Sequence, residues 1–242
     1  MKIALCLHGL FDSVTDKTSS GLAGKDYIQK HILSRGEVDV YIHSWEMEKR
    51  ALIETLYAPA KAIFEPQRDF TDLVKRGGLD SLKECPRPPQ SVISHLYSVT
   101  EAMKLPYQQT EKQYDIVIKS RFDLGRINRN TSGPGLGNPF SVQCINLQTD
   151  IQPGRLYMAN WNHFHMGPAD MWFYGSPKVM SSFHTLYDDL AAQMYIGSDF
   201  HRFAKAIEGN DGDLSNAVAF YKWWMIQNGI WENRINLNTV WE

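Results

Sequence analysis

Apolar positions along the chain follow two rhythms. Ile3-Ala4-Leu5-Cys6-Leu7 is an unbroken apolar run of strand length, stopped by Gly9. A strand apolar on both sides is buried on both faces, as in a parallel sheet covered by helices. The polar, Gly- and Ser-rich stretch 10–24 reads as a loop, and a helix is predicted over 25–35, ended by Gly36. A strand over 38–43, a helix over 46–57 ending before Pro59 and a short strand over 62–64 follow. Residues 65–90, punctuated by Gly77-Gly78 and by Pro86, Pro88 and Pro89, show no clear period. A long helix is predicted over 90–105, because Val92, Ile93, Leu96, Val99 and Met103 fall on one stripe. A strand over 114–120 has Ile116-Val117-Ile118 at its heart.

The rhythm changes after Asp123. Gly133 to Pro139 reads as a loop, and short strands are predicted at 141–145, 155–159 and 171–174. Ser176-Pro177 opens a helix, with Ser as cap and Pro in the first turn. Its buried stripe is Val179, Met180, Phe183, Leu186, Tyr187, Leu190 and Met194. A last helix is predicted over 214–228, capped by Asp213 and stopped by Gly229. The order implies an α/β fold with a mainly parallel central sheet, its mixed α+β C-terminal portion extending the same sheet. A chain of 242 residues suits a single domain, here 1–242 with halves at 1–124 and 125–242.

Composition narrows the classes. There are 25 Lys+Arg against 27 Asp+Glu, a net charge of −2, so no basic excess points to nucleic acid. No apolar stretch approaches the ~18 residues that cross a bilayer. Ile3–Leu7 is too short and too early for a secretory signal core, so a soluble, cytoplasmic protein is expected. Cys6, Cys85 and Cys144 form no CxxC pair, which argues against a disulfide framework or a thiolate zinc site. Cys6 reads as a small core residue.

Candidate chemistry gathers where strands end, because open α/β sheets bind ligands at strand carboxyl ends. The first strand ends in His8-Gly9-Leu10, without GxGxxG or GxxxxGK[ST]. The second ends in His43-Ser44-Trp45, which either lines a pocket or packs a helix onto the sheet. The fourth ends in Arg121-Phe122-Asp123. A carboxylate there can ligate a divalent cation against a diphosphate, and Arg121 can pair with that carboxylate or with phosphate oxygens. The bland alternative is an Arg121–Asp123 pair with no ligand. In the stretch 160–170, His163 and His165 share one face if extended and could ligate a metal, while Asp170 could act as a base, hold a sugar hydroxyl or cap a turn. Residues 208–213 lack a calcium-loop frame, and neither GxSxG nor HExxH occurs. Trp223, Trp224, Trp231 and Trp241 could stack on sugars, though core packing explains most of them.

Taken in order, Lys2–Gly9, Val38–Trp45, Tyr114–Leu124, Asp170–Pro177 and the helix end Asn228-Gly-Ile230 resemble small glycosyltransferases of the GT-A type, found in viruses and bacterial polysaccharide clusters. The resemblance implies a Rossmann-like transferase taking a nucleotide-sugar donor and a glycan acceptor. Its Asp-x-Asp motif corresponds to Arg121-Phe122-Asp123, where only Asp123 is acidic. The resemblance therefore implies a divalent cation, manganese or magnesium, on Asp123, with Arg121 able to replace part of its charge. His8, Gly9 and Leu10 would contact the nucleotide, and His43 and Trp45 would line the donor pocket. Asp170 would be the catalytic base or a sugar-binding carboxylate, with His163 and His165 on the acceptor side. A non-catalytic glycan- or nucleotide-binding module and a nucleotidyltransferase are the competing readings.

Overall fold

The computed structural model describes residues 1–12, 20–79, 88–109, 111, 113–125, 144–161, 165–208 and 214–238. The first half gives β1 (Lys2–Gly9), α1 (Ser20–His31), β2 (Glu37–Ser44), α2 (Arg50–Tyr57), β3 (Lys61–Phe64), α3 (Thr71–Arg76), α4 (Pro89–Lys104) and β4 (Ile116–Arg121). The second gives β5 (Leu156–Ala159), β6 (Trp172–Gly175), α5 (Pro177–Met180), α6 (Leu186–Gln193), α7 (Asp199–Glu208), α8 (Ala217–Gln227) and β7 (Arg234–Leu237).

These strands form one seven-stranded sheet in the order β3-β2-β1-β4-β6-β5-β7. The sheet is mixed: β6 runs antiparallel to β4 and β5, and the remaining ladders are parallel. Alternate side chains of β1 enter opposite cores. Ile3, Leu5 and Leu7 share a core with Ile28 of α1, Ile32 just after it and Ile53 of α2, whereas Ala4 and Cys6 face the core built by α4 to α8. That period of two explains why β1 is apolar throughout.

Several sequence expectations are corrected. The helix expected over 25–35 begins at Ser20 and gives way to a 3-10 turn at Leu33–Arg35. The glycines that read as a loop are packing devices. A Cβ on Gly24 would lie 1.8 Å from the Phe122 carbonyl oxygen, and one on Gly21 would lie 2.5 Å from Phe11. The helix expected over 46–57 is a 3-10 turn at Met47–Lys49 followed by α2. The helix opened by Ser176-Pro177 breaks into α5, a 3-10 turn at Ser181–Thr185 and α6. Ser181 Oγ donates back to the Lys178 carbonyl at 2.9 Å, a local bond that competes with regular helix. The Ser176 backbone carbonyl, not its hydroxyl, accepts from Val179 and Met180.

The last helix starts at Ala217, capped by Asn216, whose side chain accepts from the Ala219 N–H at 3.1 Å; Asp213 lies outside the described residues. Cys144 and Ile145 are not in a strand, and the rest of 141–145 is outside the described residues, as are Gly133–Pro139, Cys85 and Trp241. The elements α3, α7 and β7 lie where no element was expected. Among the described residues no helix is long and apolar enough to cross a membrane.

Candidate functional site

The strand order reverses between β1 and β4: β2 and β3 lie to one side of β1, and β4 lies to the other. The crevice outside the carboxyl ends of such a strand pair is where open α/β sheets take ligands. Register places His43, His8 and Arg121 side by side there, since His8 pairs with His43 across β1–β2 and with Arg121 across β1–β4. The next pleat on the same face carries Tyr41, Cys6 and Lys119. Alternation of strand side chains puts all six on one face of the sheet.

His8 is buried, and neither ring nitrogen has a hydrogen-bond partner among the described residues. Burial drives its pKa well below the ordinary imidazole value, with Lys119, His95, Arg121 and His43 adding to the effect. The imidazole is thus neutral, with its edge-to-face neighbour His95 of α4 at a ring separation of 5.1 Å.

His43 is satisfied at both ends. Its Nδ1 lies 2.7 Å from Ser98 Oγ and its Nε2 lies 2.9 Å from Glu65 Oε1. Ser98 Oγ also accepts the Gly9 N–H at 2.9 Å, so α4 fixes the turn that leaves β1. Gly9 adopts φ +93°, a conformation that favours glycine. Ser44 Oγ donates to the Gly9 carbonyl at 2.9 Å, closing that turn from the β2 side. Trp45 is buried and stacks on Tyr97 at 5.5 Å, so its packing role dominates, whereas Leu10 is exposed.

Beyond β4, Arg121 Nε and Nη2 donate to Asp123 Oδ1 and Oδ2 at 2.9 and 2.8 Å. The Arg121 side chain is 38% exposed, so it reaches solvent at the strand end. Lys119 is fully buried, donates to the Asp170 backbone carbonyl and lies over the rings of Phe173 and Tyr221 at 4.9 and 5.6 Å. Burial lowers its pKa to about 7; Arg121 works in the same direction and Asp170 and Asp123 oppose it.

Asp170 reaches this edge because β6 is reversed. A residue preceding an antiparallel strand meets residues that follow parallel ones, so Asp170 Oδ2 comes to 3.6 Å from His95 Nε2. Tyr221 Oη of α8 lies 3.4 Å from the same nitrogen. The segment before Asp170 is pinned to α8. Gly167 leaves no room for a Cβ against the Val218 carbonyl, and Lys222 Nζ donates to the His165 carbonyl at 2.6 Å. The His165 side chain is exposed, and His163 lies outside the described residues.

The divalent cation implied by the resemblance meets an awkward donor set. Hard cations want several oxygen ligands. Here Asp123 spends both oxygens on Arg121, and among the described residues no group of three or more His, Cys, Asp or Glu side chains is placed to hold a metal. A resident ion on Asp123 would share its two oxygens with the guanidinium.

His95, Lys119 and Tyr221 are the site residues that sequence reading missed. His95 sits inside an apolar helical stripe and Tyr221 on an apolar helix, so no local pattern marks either. A pocket of about 360 Å³ lined by Tyr107, Gln109, Gln113, Tyr114 and Val117 opens near the start of β4, the far end of that strand from Arg121. Comparison with protein-family models finds none that matches the chain, and comparison with curated proteins finds no match either.

Proposed function

We propose that the chain is a glycosyltransferase that moves a sugar from a nucleoside-diphosphate donor to a glycan hydroxyl. The observation that carries this reading is the row His43–His8–Arg121 at the β1/β4 switch point, with the Arg121 side chain partly exposed at the strand end. A diphosphate leaving group develops negative charge as its bond to the sugar breaks, and a positioned guanidinium stabilises that charge where water is excluded. Arg121 takes this role, and Asp123 holds its fork in place. Asp170, at the mouth of the neighbouring strand β6, takes the acceptor side. The ordered sequence blocks that resemble GT-A enzymes agree with this division of labour.

The test is thermal stability in the presence of nucleoside diphosphates and their sugars, followed by transfer assays with and without manganese. A ligand at ~100 times its Kd stabilises a native protein by about 2.7 kcal/mol. The expected result is stabilisation by one nucleotide class, lost in Arg121→Ala. If no nucleoside diphosphate raises the melting temperature, the reading is wrong.

A second reading, a non-catalytic glycan- or nucleotide-binding module, draws on the commitment of both Asp123 oxygens to Arg121. Saturable binding with no turnover of any donor would favour it.

A further inference from the structure

We propose that Glu65, His43 and Ser98 form a one-way hydrogen-bond relay that sets the Gly9 turn for the donor. This inference rests on the transferase reading and deepens its donor side. It makes Glu65 and Ser98 positioning residues, and it places His43 behind the turn instead of in the pocket wall that the resemblance implies.

The relay joins separate parts of the fold. Glu65 directly follows β3, His43 is in β2, Ser98 is in α4 and Gly9 ends β1. Each link is short. Glu65 Oε1 lies 2.9 Å from His43 Nε2, His43 Nδ1 lies 2.7 Å from Ser98 Oγ, and Ser98 Oγ lies 2.9 Å from the Gly9 nitrogen. His43 and Ser98 are fully buried, so water does not compete for these bonds. Of the three side chains, that of Glu65 reaches the surface, at 22% exposure. Two contacts anchor it there. Its N–H donates to the Ser44 carbonyl at 3.2 Å, and Arg68 Nη2 donates to its Oε2 at 3.0 Å.

The chemistry of the two ends dictates where the hydrogens lie. An ionised carboxylate only accepts, and a backbone N–H only donates. Burial opposes the ionised form of Glu65, but the hydrogen bonds from His43 and Arg68 outweigh it and hold the pKa below the ordinary carboxyl value. Burial keeps the His43 imidazole neutral, against the pull of Glu65. One ring nitrogen then carries the proton, and facing a carboxylate it has to be Nε2. Nδ1 is left as an acceptor, so the Ser98 hydroxyl donates to it. The other acceptor near that hydroxyl, the His43 carbonyl, is more distant at 3.4 Å. With its proton so directed, Oγ turns a lone pair to the Gly9 N–H. Every bond thus runs toward Glu65.

The turn needs this support. Gly9 sits at φ +93° next to the His8–Arg121 pair that ends the β1–β4 ladder. Ser44 Oγ holds the Gly9 carbonyl at 2.9 Å, and the relay holds the Gly9 N–H. A turn fixed before the donor arrives has less freedom to lose on binding. Glu65 acts on that turn through two intervening side chains.

The experiment uses the full chain, labelled with nitrogen-15, and NMR under conditions where the imidazole is neutral. In the wild type, His43 is expected to carry its ring proton on Nε2. Glu65→Ala and Ser98→Ala should each speed hydrogen exchange at the Gly9 amide by about tenfold or more, with the Ile118 amide in the sheet centre unchanged. Glu65→Gln retains an acceptor for Nε2–H and should keep Gly9 exchange near the wild-type rate. A merely local packing role of Glu65 would neither reach Gly9 nor be rescued by the amide. The same proteins are titrated with the diphosphates of uridine, guanosine, adenosine, cytidine and thymidine. Kd for the tightest of these is expected to rise about tenfold in Glu65→Ala and in Ser98→Ala, the loss of one hydrogen bond, and to stay within about threefold in Glu65→Gln. Glu65→Ala, at a partly exposed position, carries the test alone should Ser98→Ala not fold.

A ring proton on Nδ1 of wild-type His43 overturns the relay, and so does unchanged Gly9 exchange in Glu65→Ala. Equal nucleotide affinity in the wild type and Glu65→Ala overturns its donor role while leaving the transferase reading intact. If none of the five diphosphates binds the wild type, the transferase reading fails and the inference falls with it.

Discussion

Arg121 donates to both oxygens of Asp123, two residues further along the chain, at 2.9 and 2.8 Å. The pair closes the turn after β4 and aims the guanidinium along the crevice floor, beside His8. An arginine held in this way is pre-organised for an anion, and a lysine is not, because a point charge lacks the fork.

Removing either partner should therefore damage function more than folding. Asp123→Ala is expected to abolish measurable transfer while costing only about 1 kcal/mol of stability, since Arg121 is more than one-third exposed and screened by water. Arg121→Lys should raise the donor KM about tenfold or more, a loss of at least one bidentate contact. Urea melts alongside donor titrations check both. Wild-type transfer by folded Asp123→Ala would show that the fork is not where the donor binds.

Stability should fall as the solution is acidified from pH 7 to pH 5. His8 and His43 have pKa values held below the ordinary imidazole value, in both cases chiefly by burial. The unfolded chain binds protons through that window and the native state binds fewer, so stability rises with pH and is lost below the unfolded value. Each such imidazole contributes up to about 1.4 kcal/mol per pH unit. Chemical denaturation at half-unit pH steps measures the slope, and His8→Phe should flatten it. A stability that is level from pH 5 to pH 7 would contradict the burial of these rings.

Lys119 should impose a second slope, at higher pH. Its folded pKa of about 7 lies below the ordinary lysine value of 10.5, so the unfolded state holds the extra proton between those limits. Stability therefore rises from about pH 7 towards pH 10.5, and the burial of the amine is a net cost at neutrality. Lys119→Met, of similar length and without charge, is expected to stabilise the fold at pH 7 by about 1–4 kcal/mol and to remove this slope. A less stable Lys119→Met protein would mean that the bond to the Asp170 carbonyl outweighs the buried charge.

Gly24→Ala should be costly despite adding one methyl group to a helix. The new Cβ would meet the Phe122 carbonyl at 1.8 Å, and that neighbour is backbone rather than a mobile side chain. A loss of about 3 kcal/mol is expected, with weakened donor binding, because the displaced segment carries Asp123. Thermal melts and nucleotide titration read the two effects separately.

The fold is legible in the sequence where a single element settles its own burial. β1 is a continuous apolar run, and α4 carries an unbroken stripe from Val92 to Met103, so both fall within two residues of expectation at each end. β7, Arg-Ile-Asn-Leu, is a sheet edge with no fully buried residue; its polar–apolar alternation is a strand signal, though a short one with only Ile235 and Leu237 apolar. α7 is strongly amphipathic and is capped by Ser198, whose Oγ accepts the His201 N–H at 3.0 Å; that Ser-Asp start is a helix signal carried by the local sequence.

The site is less legible than the fold. His8, Arg121 and Asp123 can be named from their positions at strand ends, but their alignment in one row depends on register, which no short stretch encodes. His95 reaches Asp170 across 75 positions of chain, and Tyr221 reaches His95 across 126. Contacts of that span are products of the assembled sheet.

One strand running against its neighbours has an effect on how such a molecule can diversify. β6 starts where β1 and β4 finish, so the residues that lead into it bring Asp170 to the rim. Arg121 ends a parallel strand, while Asp170 arrives on the separate stretch of chain that enters β6. Substitutions in that entering stretch can therefore reshape one side of the crevice while the strand end that carries Arg121 is kept.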